Sequence, residues 1–183
     1  MGTERQVEYY DAVYSVDSNY HSDYSESNYL PLYSAVSDYL KTTLNHKIFE
    51  IGCGTGQLAK YLYDLGYAEY IGMDFSPVAI GKAKEMSRQH FFVGDALHYP
   101  NYNLDYNIAI AIEILEHIQE DKRVIHNIRP GCEVILSFPT FDDPAHVRYF
   151  KRQQDILNRY EDLVQFNHVL PVGPWFLVRG VIR

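Results

Sequence analysis

The chain has 183 residues, a formal net charge of −8, and 46% hydrophobic against 22% charged residues. That length suits one domain with a sizeable core, and that balance excludes a disordered or fibrous chain. The acidic excess also argues against a phosphate-tracking nucleic-acid surface, which leaves a basic footprint.

The first stretch, MGTERQVEYY, is too polar to be the apolar core of an export signal. Residues 1–46 are dense in tyrosine: Tyr9, Tyr10, Tyr14, Tyr20, Tyr24, Tyr29, Tyr33 and Tyr39. Within them, YLPLYSAVSDYLKTTL (29–44) predicts an amphipathic helix packed on a sheet. SVDSNYHSDYSES (15–27) predicts irregular structure or a mobile flap.

From Lys47 the pattern changes to strands alternating with helices. Strands are expected at KIFEI (47–51), YIGMD (70–74), FFV (91–93), YNIAIAI (106–112) and EVILSF (133–138). QLAKYLYDLG (57–66), PVAIGKAKEMSR (77–88) and ILEHIQEDKRVIHNI (114–128) carry apolar residues at helical spacing. This alternation predicts βαβ units and a parallel sheet buried on both faces. A further helix is expected at HVRYFKRQQDILNRY (146–160), then two β-rich runs, LVQFNHV (163–169) and WFLVRGVI (175–182). Only LPVGP separates those runs, too little for a helical crossover, so they must pair antiparallel. The most apolar run, IAIAI (108–112), is far too short to cross a bilayer. Cys53 and Cys132 are the only cysteines, which predicts reduced structural thiols in a cytoplasmic protein.

The first expected strand runs into a glycine turn, EIGCGTG, at 50–56. Gly52, Gly54 and Gly56 let the backbone approach a ligand with no side chain between, and the helix that follows presents unpaired N–H groups to a negative group. Dinucleotide enzymes space their glycines as G-x-G-x-x-G, and Gln57 stands where the last of these belongs. That disfavours a nicotinamide oxidoreductase.

The tighter spacing, with Glu50 two places ahead, resembles motif I of the class I S-adenosyl-L-methionine-dependent methyltransferases. The resemblance covers nearly all of the chain from Lys47. It implies a single-domain Rossmann-like α/β fold: five parallel strands, a sixth and an antiparallel seventh, flanked by helices. Residues 47–183 would form the core, and residues 1–46 a tyrosine-rich lid and helix. It implies S-adenosyl-L-methionine as cofactor and S-adenosyl-L-homocysteine as product, held by Glu50, Gly52, Cys53, Gly54 and Gly56. Asp74 would meet the ribose hydroxyls. In VGDAL (93–97), Asp95 would face the adenine amino group and the Ala96 backbone N–H the ring. Met73 and Phe75 are either adenine-slot walls or core; Glu50 either braces the loop or holds a water near the methionine amine.

After the fourth strand the chain lacks the Asn/Asp-Pro-Pro-Tyr of adenine-N6 and amide methylating relatives, and reads EILEHIQED. On a helix Glu113, Glu116 and His117 share one face, with Leu115, Ile118 and Ile125 on the core side. This E-x-x-E-H resembles ubiquinone-biosynthesis O-methyltransferases and small-RNA terminal 2′-O-methyltransferases. In both it implies a divalent cation beside the substrate hydroxyl, with Glu113, Glu116 and His117 as ligands. The favoured reading is a metal-free site in which His117 positions substrate, acts as base or caps the site, with the cation as the alternative. SFPTFDDPAHVRYF resembles the PN-x-x-x-x-x-HVR-x-F stretch of small-molecule members, with Thr140 in place of Asn. His146 is then a base, a cation ligand or a helix cap, and Arg148 an anion clamp or a salt-bridge partner.

The expected reaction is methyl transfer to a small-molecule hydroxyl or amine, with Glu113, His117 and His146 as candidate catalytic groups. An RNA-terminal methyltransferase and a cofactor-binding regulator without catalysis are the rivals. A membrane partner is not expected, nucleic acid is disfavoured by charge, and the oligomeric state stays open.

Overall fold

The computed structural model describes residues 2–42 and 45–183. Seven strands form one sheet: β1 (Ile48–Ile51), β2 (Tyr70–Asp74), β3 (His90–Val93), β4 (Ile108–Ala111), β5 (Glu133–Pro139), β6 (Val164–Val172) and β7 (Trp175–Ile182). Their spatial order is β3-β2-β1-β4-β5-β7-β6. The first five run parallel, and β7 lies antiparallel to both neighbours, as the short 170–174 linker requires. The turn between β6 and β7 is only Gly173 and Pro174, with Gly173 at φ 54°.

Alternate residues of each central strand point to opposite faces, and both faces are dry. Ile48, Ile108, Ile110, Ile135 and Leu177 pack under α2 (Leu30–Leu40), α3 (Gln57–Asp64) and α4 (Pro77–Met86). Phe49, Ile51, Ala109, Val134, Leu136 and Phe138 pack under α5 (Asp121–Asn127) and α6 (Gln153–Tyr160). Pro31 and Pro77 sit in the first turns of α2 and α4, where a missing N–H costs nothing. The Ser76 hydroxyl caps α4 by accepting from Ala79 N–H at 3.0 Å. The expected end of the 29–44 helix falls at residues 43–44, outside the described residues.

Three expectations need correction. The 15–27 stretch, expected to be irregular or a flap, carries short 3₁₀ turns at Ser18–Tyr20 and Tyr24–Glu26, and α1 (Val7–Val16) precedes it where the sequence reading assigns no element. The expected 114–128 helix is broken into a 3₁₀ turn at Leu115–His117 and the separate α5. Arg148 donates to the carbonyls of Leu115, Ile118 and Gln119, which a continuous helix would have used internally. Finally, only Gln153–Tyr160 of the 146–160 segment is helical. Val147 N–H donates to Glu116 O at 2.8 Å and Phe150 N–H to Pro139 O at 2.9 Å, which pins 146–150 as non-helical chain beside the sheet.

The strand order reverses direction of growth between β1 and β4, so a crevice opens at their carboxyl ends. The glycine turn follows β1 there, and Glu113 follows β4.

Candidate functional site

Gly52, Gly54 and Gly56 all sit in the left-handed region, at φ 75°, 51° and 84°. Gly52 and Cys53 N–H both donate to Met73 O, at 2.7 and 2.9 Å, so the turn is stitched to the end of β2. A Cβ on Gly52 would meet Ile114 Cδ1 at 2.5 Å, and one on Gly56 would meet Ala83 Cβ of α4 at 3.0 Å. Gly54 differs. Its nearest neighbour would be the Tyr14 hydroxyl at 3.6 Å, so that face of the turn is bare ground beside a cavity.

Asp74 is buried at the tip of β2, with one oxygen accepting from Gly54 N–H and the other from Ser76 N–H, each at 2.9 Å. Burial raises its pKa to about 6, against those two backbone bonds. Glu50 faces the α2–α3 side, where Tyr70 OH donates to it. Burial pushes its pKa up to about 8.

Two cavities meet here. A slot of about 100 Å³ is lined by Met73, Asp74, Phe75, Asp95, Ala96 and Leu97. A chamber of about 350 Å³ is lined by Glu50, Gly52, Cys53, Gly54, His146 and a group of tyrosines. Tyr10, Tyr14, Gly52, Glu113 and His117 line both, so the two are joined. Gly56 lines neither and serves the packing of α3 on α4.

The roof is α1. It buries none of its residues fully, yet Tyr10 and Tyr14 project over the join. Tyr10 packs edge-on against Phe75 (5.3 Å between ring centres) and His117 (5.9 Å). Asp11 accepts from the Ser76 hydroxyl and latches α1 to the end of β2. The 3₁₀ turns are held by Gln57, whose amide donates to Asn19 O and Ser22 O, both at 2.9 Å. Its carbonyl accepts from Ser27 Oγ at 3.1 Å and Tyr33 OH at 3.2 Å. The residue that breaks the dinucleotide pattern is thus the anchor of the cover.

Glu113 is a non-glycine residue at φ 54°, a conformation that aims its side chain into the chamber. Its N–H donates to Ser137 Oγ at 2.8 Å, and that hydroxyl donates back to Oε1 at 3.3 Å. Burial pushes its pKa up to about 7. The Glu116 side chain is fully buried, and burial followed by the Glu113 charge pushes its pKa well up. His117 donates through Nδ1 to Ala145 O at 3.0 Å, which leaves Nε2 as the lone-pair nitrogen. Burial lowers its pKa to about 4, so the ring is neutral near pH 7. The His146 ring lies 4.9 Å from it, centre to centre.

The expected grouping of Glu113, Glu116 and His117 changes accordingly. Glu116, His117 and His146 each bring one ligand-type atom within 4.8 Å of the others, and Glu113 falls outside that set. One carboxylate and two imidazoles form a donor set suited to a divalent transition metal. Arg148 holds no ligand: its Nε pairs with buried Asp121 at 3.2 Å, and its remaining nitrogens bind the 115–119 carbonyls. Sequence reasoning missed Glu4 and Arg5, which line the slot because residues 2–5 pair with the 143–146 loop. Nothing in their residue types signals this.

The strand order, the reversed β7 and the glycine turn at the switch point define a Rossmann-like α/β protein of the methyltransferase type. Residues 48–131 match a family model described as a methyltransferase domain. The chain is 26% identical over 115 residues to the chloroplastic tocopherol O-methyltransferase of Arabidopsis thaliana, covering 57% of this chain and 33% of that one. It is 26% identical over 102 residues to the mitochondrial ubiquinone biosynthesis O-methyltransferase of Schizosaccharomyces pombe, covering 50% and 37%. The chain thus spans about a third of the length of these curated relatives. The N-methyltransferase NodS of Bradyrhizobium japonicum, solved with S-adenosyl-L-homocysteine, superposes with a TM-score of 0.71 at 15% identity over 96% of this chain and 97% of that one. At that identity the likeness shows the fold. Residues 48–131 are thus similar to a methyltransferase domain, and the chain has the Rossmann-like methyltransferase fold.

Proposed function

We propose that this chain transfers a methyl group from S-adenosyl-L-methionine to a small-molecule hydroxyl or amine. One observation carries the reading: a bare, positive-φ glycine turn opens onto a joined slot and chamber at the switch point, with a buried acid at the next strand end. When bound, the cofactor supplies an electrophilic methyl group on a sulfonium. Gly52, Cys53 and Gly54 present backbone to its amino-acid tail, and Glu50 lies on the same chamber wall. Asp74, in the wall of the slot, would meet the ribose hydroxyls. Met73, Phe75, Asp95 and Ala96 line the slot of about 100 Å³ that would receive the base. α1 covers the join, and the neutral His117 ring would take a proton through Nε2. Gly56 contributes by packing. Labelled cofactor incubated with small hydroxyl and amine compounds tests the reading. Methylated product supports it; cofactor binding without product under any condition favours the regulator.

A divalent cation held by Glu116, His117 and His146 is the second reading. It is favoured by the Glu116 carboxylate, whose two oxygens are buried without a hydrogen-bond partner among the described residues. Manganese titration of the protein and of its His146→Ala variant, followed by calorimetry, tests this. Equal heats from the two proteins would remove it.

A further inference from the structure

The chamber continues at one side into a second cavity of about 260 Å³. Asp17, Tyr20, Tyr29 and Phe141 line both and form the seam between them. Trp175 lines the second cavity, its ring centre 5.7 Å from that of Tyr29 and 6.4 Å from that of Phe141. The seam is therefore an aromatic box with a carboxylate on its rim. Asp17 Oδ1 accepts from Asn19 N–H at 2.9 Å, which fixes that carboxylate in place.

The charge of the walls is one-sided. Asp17 and Asp143 line the chamber beside Glu50 and Glu113, whose burial favours their protonated forms, and among the described residues no Lys or Arg lines either cavity. Arg5 lies in the flat slot, and Arg148 is committed to Asp121 and three carbonyls. An acceptor bearing a carboxylate or phosphate would find no Lys or Arg in the walls of either cavity to compensate its lost hydration. An ammonium would gain from the ring faces and from the rim carboxylate together.

We infer that the methyl acceptor is a primary or secondary amine on an apolar or aromatic body, received as its ammonium between Tyr29, Phe141 and Trp175 and facing Asp17. This rests on the methyltransferase reading and narrows it. In the step itself, one N–H proton passes to Nε2 of His117 and frees the nitrogen lone pair. The nitrogen then bonds the methyl carbon, and the carbon–sulfur bond breaks with its electron pair left on sulfur. The products are an N-methylated ammonium and a neutral thioether.

The test compares 2-phenylethylamine, 2-phenylethanol and 3-phenylpropanoate. Each is titrated into protein saturated with S-adenosyl-L-homocysteine, then incubated with labelled cofactor. The amine is expected to bind at least tenfold tighter than the other two and to be the one methylated. Asp17→Asn, which keeps the cap on Asn19, is expected to weaken amine binding about tenfold while affinity for S-adenosyl-L-homocysteine holds. The inference is overturned if the alcohol or carboxylate is used as well as the amine, if none of the three binds, or if Asp17→Asn leaves amine affinity unchanged. Absence of S-adenosyl-L-homocysteine binding is read separately, before any acceptor is added, and would remove the methyltransferase reading and this inference with it.

Discussion

Substituting Gly54 by alanine separates the binding surface of the glycine turn from its structural role. At φ 51° a side chain costs about 1–2 kcal/mol of backbone strain. The new Cβ meets nothing closer than Tyr14 OH at 3.6 Å, so no packing penalty adds to it. For a chain of this length the midpoint of thermal unfolding should fall by about 2–8 °C, with the fold intact. The methyl group nevertheless stands on the ground assigned to the tail of the cofactor, and affinity for S-adenosyl-L-homocysteine should fall tenfold or more, about 1.4 kcal/mol or above. Gly56→Ala should invert the pattern. Its Cβ would press on Ala83 Cβ at 3.0 Å and Cα at 3.1 Å, so overpacking of about 1–3 kcal/mol adds to the strain, while no cavity wall is touched. Calorimetric titration paired with thermal unfolding measures both. Parental affinity in Gly54→Ala would refute the placement of the ligand on this turn.

Asp121→Ala should destabilise the chain by about 3–5 kcal/mol in urea unfolding, because Asp121 pairs with Arg148 at 3.2 Å and Arg159 at 2.7 Å and its loss leaves Arg148 buried without a counter-charge. The pKa of Glu50 rises from 4.5 unfolded to about 8 folded, so the fold retains a proton that the unfolded chain releases. Its contribution is whole below pH 4.5 and is lost as pH climbs towards 8; Glu50→Gln should flatten that decline in the urea midpoint. Gln57→Glu removes two donated hydrogen bonds, about 1 kcal/mol each, and should speed amide exchange in residues 17–28 by roughly 30-fold without touching the central strands. Removing residues 1–28 should leave the sheet folded and abolish turnover; full activity in that truncation would discard the lid.

The sheet was legible because its signals are local. Alternating apolar runs, a linker too short for a crossover and glycines at forced positive φ each dictate structure with no distant partner. The stretch after β4 was not, since apolar residues at 114, 115, 118 and 125 fit one long helix as well as a 3₁₀ turn followed by a short one. Arg148, over thirty residues away from Leu115, decides between them by taking the carbonyls. The sequence left Arg148 open between an anion clamp and a salt-bridge partner, and its pairing with Asp121 decides for the second. The roof was half legible: the tyrosines pointed to an aromatic cover, but α1 has no buried face to betray it as a helix. Gln57 was noticed only as a missing glycine, whereas its burial and four partners make it the hinge pin of that cover.

Direct titration of S-adenosyl-L-methionine into the purified chain bears hardest on the whole account. A saturable heat at one site per chain, displaced by S-adenosyl-L-homocysteine and diminished in Asp74→Asn, is the predicted result. No heat with either compound, from protein that unfolds cooperatively, would contradict it.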